Sequence, residues 1–139
     1  IPSLDIIAAG SDEGELVCAL TDARRNEVYS ATYRRSEEGV ERLDEYRATQ
    51  PDALARDLDE LGANITFVGD GLRNYASILR DKLGVRFRPA RAELWPPQPS
   101  ALVRLALARL SQGKSDDLFQ LMPIYVRKPD VRVPDGRFS

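Results

Sequence analysis

Apolar positions run along this chain in short blocks, and the spacing within a block lengthens from two toward four as the chain proceeds. Ser3 to Ala9, followed by Gly10, reads as a short helix with Ser3 capping its first amides and the glycine at its exit. After the polar Ser11-Asp12-Glu13-Gly14, the stretch Glu15 to Thr21 carries an unbroken apolar run from Leu16 to Leu20. That pattern belongs to a strand covered on both faces, hence a central one. From Glu27 the pattern alternates, with Tyr29, Ala31 and Tyr33 on one face and Val28, Ser30 and Thr32 on the other. It predicts a second strand, paired with the first as a hairpin across Asp22 to Asn26. Val40 to Ala48 reads as a third strand whose only apolar content is Val40, Leu43, Tyr46 and its last alanine, and whose charge suits a sheet edge.

The helical period then takes over. Pro51 at a first helical position, Asp52 behind it, Leu54, Leu58 and Leu61 on one side and Gly62 at the exit predict an amphipathic helix. Ile65 to Val68 is a short strand ending in Gly69-Asp70-Gly71. The stripe Leu72, Tyr75, Ala76, Leu79 and Leu83 predicts a helix over 72–83, stopped by Gly84. Val85 to Arg88 reads as a brief strand. Pro89 to Pro99 holds four prolines and reads as an irregular connection. From about Ser100 a helix follows that is apolar nearly all round, interrupted by Arg104 and Arg109, and it wants cover on more than one side. Beyond Gly113 come a polar stretch, an apolar one from Leu118 to Val126 broken by Pro123, and a basic tail.

Three strands followed by helix, strand, helix, strand, helix predict an α/β fold. The expected architecture is a mixed five-stranded sheet with helices, the ribonuclease-H-like half of an actin-like ATPase fold. With Ile1 first and Met122 the only methionine, the expectation is a part of a longer protein. Residues 1–10 would end a linking helix from a preceding lobe, 11–127 would form the ribonuclease-H-like lobe, and 128–139 a tail.

Composition removes several function classes. Twenty Lys plus Arg against 22 Asp plus Glu give a formal charge of −2, so bulk electrostatics offers no argument for nucleic-acid binding. With no histidine among 139 residues, a Ser-His-Asp triad, a Cys-His pair and His-ligated zinc or iron are excluded from this chain. The one cysteine, Cys18, sits in the apolar run and reads as a small core residue rather than a nucleophile. The sequence has neither a signal peptide nor an 18-residue apolar span, and the expected compartment is the cytoplasm, without a membrane partner.

Four local features invite a chemical reading, each beside a structural one. Gly69-Asp70-Gly71, between strand and helix, is either a phosphate-binding turn or a plain strand-to-helix turn; no Walker lysine or dinucleotide spacing follows it. Asp22, Glu27 and Asp70 are either a carboxylate cluster for Mg²⁺, as in a ribonuclease-H-like hydrolase or ATPase, or solvated and ion-paired groups. Arg24-Arg25 is a ligand clamp or a solvated loop pair. Trp95 and Tyr125 each plug a hydrophobic gap or anchor an interface. The basic tail, with Arg127, Lys128, Arg132 and Arg137, leaves a direct nucleic-acid-binding module as a further alternative.

Beyond spacing, the segment from Thr21 to Tyr29 resembles the DAR-x-x-EVY hairpin of the TsaB (YeaZ) family. Pro123-Ile124-Tyr125-Val126-Arg127 resembles its terminal P-x-Y-L/V-R signature, with valine at 126 where leucine is common. Val68-Gly69-Asp70-Gly71 is similar to the family's glycine-bearing turn, and Pro2-Ser3-Leu4 to the start of its linking helix. The resemblance implies an actin-like fold in two lobes, of which this chain is the second. It also implies a noncatalytic partner subunit of the bacterial complex that makes N6-threonylcarbamoyladenosine at position 37 of tRNA. Its partners would be a catalytic TsaD-like subunit and a TsaE-like ATPase, met mainly through the first lobe, with tRNA contacted only indirectly. The group is also named for homology to M22 peptidases or glycoproteases, an activity that a chain without histidine does not support. On this reading no residue is catalytic and none binds a cofactor or a metal. Asp22, Ala23, Arg24, Glu27, Val28, Tyr29, Gly69, Gly71, Pro123, Tyr125 and Arg127 are family-motif residues with structural roles. A helix as apolar as the one after Ser100 also leads to the expectation that the fragment self-associates.

Overall fold

The computed structural model describes residues 2–37 and 39–111. Its centre is a mixed sheet. Strand β1 (Leu16–Arg24) pairs antiparallel with β2 (Glu27–Ser36) and parallel with β5 (Ile65–Val68), which pairs parallel with β6 (Phe87–Pro89). On the other side β2 carries two short antiparallel neighbours, β3 (Gly39–Arg42) and β4 (Arg47–Thr49). The order is β3-β2-β1-β5-β6, with β4 beside β2. This is the expected α/β topology, with six strands in place of the five expected, because the third strand is broken in two. Leu43 still donates its N–H to the Thr32 carbonyl, but the Thr32 N–H goes to the Asp44 carboxylate at 2.8 Å. A side chain there takes the place of a backbone acceptor, and the strand leaves the ladder.

Helices cover both faces. The inner face formed by Cys18, Leu20, Val28 and Phe67 packs beneath α2 (Pro51–Asp59) and α3 (Leu72–Leu83), with Leu54, Leu58, Leu72, Leu79 and Leu83 closing the core. Burying each of these leucines is worth roughly 1.5–3 kcal/mol. The opposite face, Val17, Ala19, Ala31 and Tyr33, receives α1 (Ser3–Gly10) through Leu4, Ile7 and Ala8. The central placement of β1 and the alternation of β2 follow from this sandwiching, since successive side chains feed opposite layers. Cys18 is fully buried, and desolvation, helped by the charge of Asp44, pushes its thiol up to about 12.

Two boundaries differ from expectation. Pro2 occupies the N-cap position of α1, and no side-chain cap bond is present; Ser3 is the first helical residue. Gly84–Arg86 forms a single 3-10 turn, which delays the last strand to Phe87. The last described helix, α4 (Pro99–Ser111), rests on α1 through Ala101, Leu102, Leu105 and Ala106 around Ile6.

One carboxylate ties α1 to the sheet. Asp5 Oδ1 accepts the hydroxyls of Tyr33 at 2.6 Å and Tyr46 at 2.8 Å, while Oδ2 lies 3.8 Å from the Arg109 guanidinium of α4. Burial and the neighbouring Asp5 charge push both phenols above the usual tyrosine range. No helix among the described residues is long and apolar enough to cross a membrane.

Candidate functional site

In sheets with parallel strands, ligand clefts form beyond the strand carboxyl ends, where loops diverge. Here that edge lies past Thr21 of β1, Val68 of β5 and Pro89 of β6, and it holds a cleft of about 380 Å³. Ser3 and Ile7 of α1 form one wall; Asp70 and Arg73, at the start of α3, form another. Trp95, Pro96 and Pro97 close the third. The proline-rich connection makes that wall rigid, and Trp95 is fixed by its indole N–H donating to the Ala90 carbonyl at 2.9 Å. The Arg73 guanidinium stands 6.0 Å from the Trp95 ring centre, at the outer limit of a cation–π contact.

The turn Gly69-Asp70-Gly71 carries Asp70 into the wall at the start of α3, and its glycines have a packing reason. Gly69 has φ +127°, and a Cβ there would collide with the Leu20 carbonyl; a Cβ on Gly71 would press on the Leu20 side chain. The Gly71 N–H donates to the Leu20 carbonyl, the Leu72 N–H to Gly69 and the Arg73 N–H to Asp70. A helix amino terminus attracts phosphate through unspent amides. These amides are spent, and the Asp70 carboxylate beside them opposes an anion.

Asp70 and Asp22 are brought together as a joint. The Asp22 N–H donates to Asp70 Oδ1 at 3.0 Å; Asp22 Oδ1 accepts the Arg24 N–H at 2.8 Å, and Oδ2 accepts the Asn74 amide at 3.0 Å. Glu27 does not join them, since it lies across the hairpin opposite Arg24. Among the described residues no three His, Cys, Asp or Glu side chains are placed to hold a metal ion. Arg24, Arg25 and Asn26 all have left-handed backbone, with φ of 67°, 56° and 62°, and form the exposed tip of the hairpin away from the cleft wall.

The remaining motif residues serve the sheet. Ala23 and Val28 are buried, and Tyr29 packs against the Val17–Tyr33 layer. Pro123, Tyr125 and Arg127, with Lys128, Arg132 and Arg137, lie outside the described residues, as does the tail. Ser3, Thr21, Arg73 and Asn74 are cleft or joint residues that sequence reasoning missed. The signal available was positional: each sits at the carboxyl edge of a parallel strand or on an element beginning there.

An α/β lobe in which an antiparallel three-strand unit continues into parallel strands, with its cleft at the carboxyl edge, belongs to the ribonuclease-H-like class. Within that class, solved structures give specific likenesses. YeaZ from Pseudomonas aeruginosa superposes with a TM-score of 0.63 at 22% identity, over 88% of this chain and 56% of that one. A second structure, described as an uncharacterized protein similar to peptidase YEAZ from Pseudomonas aeruginosa, gives 0.65 at 23% identity, over 89% and 56%. The likeness establishes a common fold, and the chain spans just over half the length of these relatives. No protein-family model matches the chain, and no curated protein matches it in sequence.

Proposed function

We propose that this chain is the second lobe of a TsaB (YeaZ)-type subunit. That subunit acts in the cytoplasm as a noncatalytic partner in the complex making N6-threonylcarbamoyladenosine at position 37 of tRNA. The observation that carries the reading is the Asp22–Asp70 joint. Asp22 of the DAR-x-x-EVY segment and Asp70 of the glycine turn are engaged in hydrogen bonds that join the hairpin to α3, and Gly69 and Gly71 in close packing on Leu20, which suits architecture rather than chemistry. The likeness to YeaZ structures supports the same family. The peptidase similarity named for one of them finds no histidine here on which to build a hydrolytic triad or a zinc site. On this reading the carboxyl-edge cleft faces the other lobe, and contacts with TsaD-like and TsaE-like subunits run mainly through that lobe.

The test is affinity purification of the full-length parent from its native extract. Recovery of TsaD-like and TsaE-like subunits is the expected result. A parent recovered without either, yet active alone as a magnesium-dependent hydrolase, would contradict the proposal.

A further inference from the structure

On the side of the molecule away from the parallel-strand edge, a cavity of about 250 Å³ lies between the last turn of α1, the β2–β3 hairpin and α4. Two guanidiniums enter it from different elements, Arg35 from β2 and Arg104 from α4. The terminal carbonyls of a helix lack intrahelical partners and carry partial negative charge. The two arginines meet successive ones: Arg35 Nη2 donates to the Ala8 carbonyl at 3.3 Å, and Arg104 Nη2 to Ala9 at 3.0 Å. Arg35 Nε is fixed further by the Gly14 carbonyl at 3.1 Å.

Capping α1 uses only part of this equipment. A guanidinium has five N–H donors, and among the described residues two are engaged on Arg35 and one on Arg104. Among the described residues, neither has a carboxylate within ion-pair distance: Asp12, near Arg35, is bonded to Arg91 at 3.2 Å, and Asp5 faces Arg109. Among the described residues that line the cavity, Glu37 is the one carboxylate, against two guanidiniums. Burial lowers the Arg35 pKa, and the Arg104 charge pushes the same way against the pull of Asp12. The two cations are therefore held close enough to repel each other, each already oriented by backbone.

We infer that the Arg35–Arg104 cavity is a binding site for a phosphate-type oxyanion, either free phosphate or a backbone phosphate of RNA. A tetrahedral phosphate presents oxygens in different directions and can be gripped by two guanidinium forks at once. The cavity also has room for a group carrying the phosphate. This site stands apart from the carboxyl-edge cleft and does not rest on the function proposed above.

The experiment follows backbone amide shifts of Ala9, Ser36 and Arg104 by NMR during titration with inorganic phosphate, against chloride at matched ionic strength. A parallel arm measures anisotropy of a labelled RNA oligonucleotide. Saturable shifts with phosphate and not with chloride are expected, at least about tenfold weaker in Arg104→Gln because charge-assisted donors are lost. Arg104→Lys should retain more binding than Arg104→Gln, and circular dichroism should show both folded. Binding in the phosphate arm alone identifies free phosphate as the source. RNA binding weakened by Arg104→Gln identifies the nucleic-acid backbone. Failure of both arms, equal shifts with chloride, or equal binding by folded Arg104→Gln would overturn the inference.

Discussion

Helices α3 and α4 have 12 and 13 residues, and α4 is the more apolar in sequence, yet α3 buries far more of itself. Leu72, Leu79 and Leu83 of α3 are at most 5% exposed, whereas on α4 only Ala101 is buried and Val103 and Leu107 are 56% and 58% exposed. The cause is location. The stripe of α3 lies over β1 and β6 and against α2, while α4 has α1 as its main support. Apolar content states what a helix could bury; position in the layers decides what it does bury.

The contrast can be broken most severely at the start of α3. Gly69→Ala places a Cβ against the Leu20 carbonyl at φ +127° and should cost about 4 kcal/mol, most of a small domain's stability, as read by urea unfolding. Leu79→Ala should cost about 3 kcal/mol in the same assay, because the cavity it leaves is enclosed on every side. Asp5→Ala strands the buried Tyr33 hydroxyl and frees α1 from the sheet, for about 2 kcal/mol.

A smaller effect follows from Cys18. The folded thiol holds its proton up to about 12, whereas in the unfolded chain it ionises near 9, so rising pH above 9 favours unfolding. Its contribution should fall by about 1 kcal/mol between pH 8 and pH 10, a slope missing from Cys18→Ala. Leu107→Gln on the open side of α4 should change stability by less than about 0.5 kcal/mol. A loss comparable to that of Leu79→Ala would show that α4 is covered in solution.

The same contrast explains what the sequence could convey. The α3 stripe, the β1 run and the β2 alternation were legible because one buried face imposes a period on the residues that meet it. The break between β3 and β4 was not, since it depends on Asp44 reaching a backbone amide of a neighbouring strand. The carboxyl-edge cleft draws on Ser3, Thr21, Asp70, Arg73 and Trp95, which no local pattern links. Asp22 and Asp70 were legible as carboxylates near strand ends, but their use in bonding the hairpin to α3 depends on Asn74 and on two backbone amides.

The turn from Gly69 to Gly71 is a structural joint, and the Gly71, Leu72 and Arg73 amides at the start of α3 are already committed to backbone carbonyls. The most direct test is the NMR shift of the Gly71, Leu72 and Arg73 amides during titration with magnesium ATP. All three should stay in place to millimolar nucleotide, whatever happens at the Arg35–Arg104 cavity. Saturable movement of these amides, abolished by Asp22→Asn, would contradict it.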